Sequence, residues 1–179
     1  TIINQVQAMK RMVNEFSDYA RLPPPELAAL DLNALIGEVL GLYETSRASI
    51  ELSLTETLPP VWGDVSQLRQ IIHNLLRNAE DAQEGCAQPR IEVRTRGEDG
   101  MAEFAVCDYG SGFPPEIMAR VFEPYVTTKA RGTGLGLAIV KKIIDEHDGE
   151  IRLANRETGG AEIRIRLRSA PQTESPAHG

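Results

Sequence analysis

Residues Asp108 to Leu137 read DYGSGFPPEIMARVFEPYVTTKARGTGLGL, and the fold is decided by how this stretch is understood. It holds two glycine-rich turns, Asp108-Tyr109-Gly110-Ser111-Gly112 and Gly132-Thr133-Gly134-Leu135-Gly136, with a basic, threonine-bearing segment between them. Glycine recurs where a backbone must approach a ligand closely or adopt positive φ, and the second turn runs into an apolar helical pattern. Such an arrangement suits a nucleotide and its phosphates. A carboxylate at Asp108 can accept from the exocyclic amine of adenine and selects against guanine, which presents an acceptor there. The second turn opens a helix whose free N–H groups favour phosphate, and Thr127, Thr128, Lys129 and Arg131 stand before it as donors, a solvated charged loop being the alternative for Lys129 and Arg131.

Upstream, Leu68, Ile71, Ile72, Leu75, Leu76 and Ala79 recur at helical spacing and predict a long helix capped by Asp64 or Ser66. Asn74, Asn78 and Asp81 fall on one line of that helix. Amides are unfavourable in a helix interior, so they suggest oxygen ligation of Mg²⁺, with a solvated polar face as the alternative. Leu32, Leu35, Ile36, Val39, Leu40 and Tyr43 predict a second amphipathic helix, N-capped by Asp31. Alternation predicts strands at Ile50 to Leu54, Arg90 to Arg96, Ala102 to Cys107, Glu150 to Ala154 and Ala161 to Leu167. Turns are read at Glu98-Asp99-Gly100 and Thr158-Gly159-Gly160. Pro114-Pro115 starts a short helix through about Val121, residues 123 to 133 form a mobile loop, and the last helix closes at His147-Asp148-Gly149. The expected fold is α+β: a two-layer sandwich whose mixed, mostly antiparallel sheet carries helices on one face.

At the start of the chain, Ile2, Val6, Met9, Val13, Phe16 and Ala20 follow steps of 4, 3, 4, 3 and 4, the seam of a helix packing on another helix, widened by Ile3, Met12 and Tyr19. Pro23, Pro24 and Pro25 end it. The organisation expected is residues 1–22 as one helix, 23–30 as a linker, 31–168 as the catalytic unit and 169–179 as a disordered tail. A net charge of -7 over 179 residues argues against a basic nucleic-acid surface, and no apolar run approaches the roughly 20 residues of a membrane span. Arg164, Arg166 and Arg168 alternate with apolar residues as the solvated face of a strand. Two cysteines, Cys86 and Cys107, make neither a disulfide framework nor a metal site and suit a reducing cytoplasmic setting, whether or not a parent protein is membrane-anchored.

The order Asn74-Leu75-Leu76-Arg77-Asn78-Ala79, Asp108-Tyr109-Gly110-Ser111-Gly112, Phe122-Glu123-Pro124-Tyr125 and Gly132-Thr133-Gly134-Leu135-Gly136-Leu137 resembles the N box, first glycine box, F box and second glycine box of sensor histidine kinases. These share an ATPase superfamily, called GHKL, with DNA gyrase, a class of heat-shock chaperones and MutL. The run TTKARGTGLGLAIVKKI is most similar to nitrogen-regulation type kinases. The resemblance covers about residues 30 to 168 and implies a Bergerat-type ATP-binding fold, ATP and Mg²⁺ as cofactors, and phosphoryl transfer to histidine. Asn78 is implied as the metal ligand with Asp81 beside it, Asp108 as the adenine acceptor, and Gly110 and Gly112 as the floor of the base pocket. Phe122 is implied as anchor of the lid. Thr128, Lys129, Arg131, Gly132, Thr133, Gly134, Leu135 and Gly136 would lie along the phosphates, with Asn74, Asn78 and Lys129 as the catalytic set.

Asn74 stands where the gyrase, chaperone and MutL relatives carry a water-activating Glu, which favours transfer to a protein over hydrolysis. The other two readings are a hydrolysing conformational machine and a non-catalytic nucleotide-sensing module. Implied partners are the dimerisation hairpin of its own kinase, homodimeric in the parent, and a response regulator receiver domain, with no nucleic acid and no direct membrane contact. The phosphoacceptor box is absent, and residues 1–22 resemble only the second helix of the hairpin, so the chain is expected to be a fragment lacking its acceptor. His73, His147 and His178 lack the acceptor context. The third glycine box departs from the pattern, with Ala161 after Gly159-Gly160 where many relatives carry Thr.

Overall fold

Strand alternation and helical periodicity meet in one core. The computed structural model describes residues 1–129 and 132–171. Seven strands are found: β1 (Ala28–Leu30), β2 (Ser49–Ser53), β3 (Val61–Gly63), β4 (Arg90–Glu98), β5 (Met101–Asp108), β6 (Glu150–Asn155) and β7 (Ala161–Arg168). The helices are α1 (Ile2–Ala20), α2 (Leu32–Leu40), α3 (Val65–Asp81), α4 (Pro115–Met118) and α5 (Gly136–Glu146).

The main sheet has the order β2-β4-β5-β7-β6, with β2 parallel to β4 and every other pair antiparallel. Register lines up Val93, Val106, Ile163 and Leu153 in one row, and Thr95, Phe104, Ile165 and Ile151 in the next. Because side chains alternate across a strand, these rows share one face, and they join Ile36, Leu68, Ile72, Leu76, Ile139 and Ile143 of α2, α3 and α5 in a single core. The other face is ionic: Arg164 pairs with Glu103 at 3.5 Å, Arg166 with Glu150 at 3.7 Å, and Arg94 with Glu162. The α+β sandwich with helices on one face is thus the observed architecture, and the alternating arginines line its solvated face.

The β4–β5 turn is Asp99-Gly100, both at positive φ (52° and 72°), the geometry a two-residue hairpin demands. Asp31 caps α2 by accepting from Ala34 N at 3.0 Å. Among the described residues no helix is long and apolar enough to cross a membrane.

Three expected boundaries move. The linker at 23–30 is stitched to the domain: β1 pairs with β3, Gln67 Nε2 donates to Pro23 O at 2.8 Å, and Glu26 N donates to Asp64 Oδ2 at 2.8 Å. A strand of three residues is too short to show a period. The short helix stops at Met118 instead of near Val121, because the chain turns there and carries Val121 into the core at 4% exposure. Ser169 and Ala170, expected in the tail, still hydrogen-bond to Gly100 O (2.9 Å) and Pro60 O (2.7 Å), and residues 172–179 lie outside the described residues.

The seam on α1 is exposed: Ile2 79%, Val6 57%, Met9 66%, Val13 64% and Phe16 51%. Tyr19 belongs to the other side of that helix, where it packs on the domain with Leu22 and receives Lys142 over its ring.

Asp64 ties three pieces together. Its carboxylate accepts from Ser66 N and Gln67 N at the start of α3 (2.9 and 3.0 Å) and from Glu26 N, while its own N–H donates to Nε2 of buried His147 at 3.0 Å. Burial opposes the charge, but the amides of Gln67, Glu26 and Ser66 outweigh it and hold the carboxyl below its ordinary range. A depressed carboxylate lends stability that is complete above its unfolded-state value and is lost as pH falls through its folded one. Asp64→Ala is therefore expected to cost about 1–2 kcal/mol in urea unfolding at neutral pH, as loss of an N-cap does, and the gap from the parent should close in acid.

Candidate functional site

Four segments converge at one edge of the sandwich: the loop after β5, the C-terminal half of α3, the lid between α4 and α5, and the β6–β7 turn. Asp108 ends β5 with only 7% exposure. Its Oδ1 accepts from Gly110 N at 2.8 Å and Ala161 N at 3.3 Å, while Oδ2 accepts nothing among the described residues. Burial raises its pKa above the ordinary value, opposed by those two amides and by the charges of Arg156 and Lys129. Gly110 is packed on the end of α3, where a Cβ would stand 2.3 Å from Ala82 O. Gly112 and Phe113 meet Asn155, whose side chain accepts from Phe113 N at 2.8 Å and donates to Phe113 O at 2.7 Å.

On α3, Asn78 and Asp81 point at one place. Lys129 Nζ of the lid donates to Asn78 Oδ1 and Asp81 Oδ2, each at 2.9 Å. The amide oxygen and the carboxylate oxygen that hold this ammonium are donors of the kind a hard cation takes. Among the described residues no three His, Cys, Asp or Glu cluster, so a metal there would draw its remaining oxygens from a ligand. One turn earlier, Asn74 Nδ2 is buried with no partner, and Asn74 Oδ1 would lie 4.0 Å from a Cβ on Gly136, the first residue of α5. That eleven-residue helix has no side-chain cap, which leaves its first-turn N–H groups free for an anion.

The lid is folded back on itself. Phe122 is half-buried against the core, Tyr125 N donates to Gly134 O at 3.0 Å, Lys129 N to Thr127 Oγ1 at 3.0 Å, and Gly132 N to Lys129 O at 3.2 Å. Thr128 is exposed. The Leu135 side chain is 1% exposed within the core, where it anchors the start of α5, so only its backbone is left to face a ligand. Arg131 lies outside the described residues.

Sequence reasoning missed two contacts. Glu15 of α1 accepts from Thr133 Oγ1 of the lid and sits 3.6 Å from Arg77, inside the Asn74–Asn78 run. The β6–β7 turn grips the loop after Asp108 through Asn155, Arg156 and Ala161. The unusual Gly159-Gly160 pair was the one local signal for the second. His73 is held by Tyr43 OH at 3.3 Å from Nδ1, and His147 is buried with Nδ1 against Ile143 O at 2.8 Å, so both are structural. Grooves of about 270 Å³ beside Tyr43 and Leu52 and of about 240 Å³ between α1 and α3 lie elsewhere on the molecule.

The family of histidine kinase-, DNA gyrase B-, and HSP90-like ATPases matches residues 63–171. The nitrogen regulation protein NtrY of Azorhizobium caulinodans is 38% identical over 186 residues, covering 97% of this chain and 24% of that protein. The chain spans about a quarter of the length of the NtrY-type relatives it matches and about half of the sensory histidine kinase/phosphatase NtrB of Rhodobacter capsulatus. Among solved structures, the catalytic domain of histidine kinase ThkA superposes with a TM-score of 0.73 at 31% identity, covering 80% of this chain and 96% of that one. ThkA in complex with response regulator protein TrrA superposes with a TM-score of 0.78 at 27% identity, covering 96% and 50%.

Glu15 ties the lid to α1, so Glu15→Ala should free it. Amide hydrogen exchange across the described lid residues is expected to quicken by about tenfold, the worth of one hydrogen bond plus a half-exposed ion pair, with β5 and β7 unchanged.

Proposed function

The chain belongs to the family of histidine kinase-, DNA gyrase B- and HSP90-like ATPases, as a histidine-kinase ATP-binding domain of nitrogen-regulation type, and we propose that it binds Mg-ATP and aims the γ-phosphate at a histidine. The acceptor would stand on the dimerisation hairpin of its own parent kinase, and a response regulator receiver domain would take the phosphoryl group next. The observation that carries this reading is Lys129 lodged between Asn78 and Asp81. It is a protein cation on the two oxygens that would hold a nucleotide's metal.

The free Oδ2 of Asp108 is the acceptor for the N6 amine of adenine, and the loop of Gly110 and Gly112 is the floor below the base. A carboxylate fits the 6-amino group and repels the 6-oxo group of guanine. Asn78 Oδ1 would hold Mg²⁺ with Asp81 beside it, and the metal, when bound, neutralises charge on the triphosphate. Displaced from these oxygens, Lys129 turns to the phosphates, together with Thr128, Arg131, Thr133 and the N–H groups from Gly132 to Gly136. The N-terminus of α5 receives the terminal phosphate, and the unpaired Nδ2 of Asn74 is a neutral donor toward it. An amide cannot take a proton from water, so Asn74 does not activate hydrolysis, and positioning and charge stabilisation account for transfer to a protein nucleophile. The exposed seam of α1 is the surface for the partner helices of a homodimeric hairpin.

Asp108→Asn separates recognition from folding. The variant keeps Oδ1 as acceptor for Gly110 and Ala161 and removes a charge whose burial opposes the fold above the ordinary carboxylate range. Thermal unfolding without nucleotide should therefore show no loss of stability, while a fluorescent-ATP titration loses at least about tenfold in affinity, the worth of a charge-assisted hydrogen bond. Unaltered affinity would remove Asp108 from the adenine site. With an acceptor hairpin supplied in trans, Asn78→Ala is expected to slow phosphoryl transfer roughly a hundredfold. Undiminished transfer removes Asn78 from the metal site, and steady phosphate release without any acceptor turns the reading toward a hydrolysing machine.

A further inference from the structure

The β6–β7 turn lies directly on the peptide that carries Asp108. Gly160 (φ 82°) approaches so closely that a Cβ there would stand 2.1 Å from Asp108 O, and the next residue, Ala161, gives its N–H to Asp108 Oδ1. From the first half of the same turn, Arg156 reaches back to the loop. Its Nη1 donates to Asp108 O at 3.1 Å and its Nη2 to Tyr109 Oη at 3.3 Å. The guanidinium carbon lies 4.2 Å from the centre of the Tyr109 ring, Arg90 stands 4.8 Å from the same ring, and Glu92 of β4 lies 3.9 Å from Arg156 Nη2. Only 19% of the Arg156 side chain is exposed.

A carboxylate reads a base by its orientation. With Oδ1 occupied by two amides, the direction of Oδ2 follows from where the Asp108 main chain is held. The planar fork of Arg156 holds that main chain at the carbonyl and at the following side chain together, which a flexible ammonium cannot do. We propose that Arg156 is a positioning residue for base selection: it fixes Asp108 so that Oδ2 faces a 6-amino purine. The proposal rests on the reading of Asp108 as the adenine acceptor.

The charged groups around this corner are Arg156 on the β6–β7 turn, Lys129 on the lid, Arg90 and Glu92 on β4 and Glu162 on β7. Arg156 and Lys129 favour the ionised form of Asp108 against its burial. Arg156→Ala removes both the fork and a charge. Arg156→Lys keeps the charge alone.

The test is competition of ATP and inosine triphosphate, a 6-oxo analogue, against a fluorescent nucleotide from pH 5 to 8, with Asp108→Asn beside the two variants and melting curves confirming that each is folded. The parent should prefer ATP. Arg156→Ala should reduce the ATP-to-ITP ratio about fivefold to tenfold and move the acid limb of ATP binding to higher pH. Arg156→Lys should restore the acid limb and leave the ratio impaired. Equal weakening of both nucleotides by Arg156→Ala, or a lower melting temperature with an unchanged ratio, would make Arg156 a structural residue and overturn the proposal. If Asp108→Asn itself leaves the ratio untouched, the adenine assignment falls and the proposal falls with it. A ratio lost in Asp108→Asn but kept in Arg156→Ala defeats the proposal alone.

Discussion

A carboxylate buried at the end of a central strand is the constraint on which the rest of this structure turns. Asp108 is desolvated, and burial of an unpaired charge is too costly to persist without donors. Each donor has a structural price: Gly110 must press against the end of α3 to present its amide, Gly160 must adopt positive φ so that Ala161 can present the other, and Arg156 must lie under the loop. Two separate turns are therefore shaped by one side chain.

The two-faced sheet explains why this corner can be polar. One face carries the whole apolar core against α2, α3 and α5, and the other carries rows of paired Arg and Glu, so the strand ends at the edge are free to supply loops instead of packing. The C-terminal half of α3 reaches the same edge with Asn74, Asn78 and Asp81 in line, and α5 begins there without a cap. An uncapped helix start and an amide with an unsatisfied donor are both unfavourable in isolation, and here they stand at one place, where an anion would satisfy both.

What was legible in the sequence was whatever repeats or stays local. Helical spacing marked α2, α3 and α5, alternation marked β4 to β7, and Asp99-Gly100 marked the hairpin. Asn78 and Asp81 stood out because amides and carboxylates are out of keeping with a helix interior, and Asp108 because it ends a strand and is followed by two closely spaced glycines. Arg156 did not, since it reaches Asp108 only because β5 and β7 run antiparallel with Cys107 opposite Glu162, and no local pattern encodes that register. Leu135 has two readings at once, because it lies between two glycines of the turn and also begins the apolar spacing of the helix; its side chain follows the second and is drawn into the core where α5 begins. Glu15 was hidden for a different reason, because a single acidic residue on a helix flank looks like solvated surface until the lid is seen against it.

That flank shows how one helix can serve two surfaces. An apolar seam spaced by threes and fours occupies a narrow stripe of the helix circumference, and on α1 it faces away from the domain. The remaining arc is available, and the domain uses it through Glu15, Asp18 and Tyr19, which meet Thr133, Arg77, Gln70 and Lys142. These contacts are polar and half-exposed, each worth about 1 kcal/mol or less, whereas burying the seam on another helix would involve several large apolar side chains at roughly 1.5–3 kcal/mol each. Contacts of that size hold α1 to the domain more weakly than a packed seam would hold it to another helix. Because Glu15 meets both Thr133 of the lid and Arg77 of α3, the helix that carries the exposed seam also touches two sides of the candidate site.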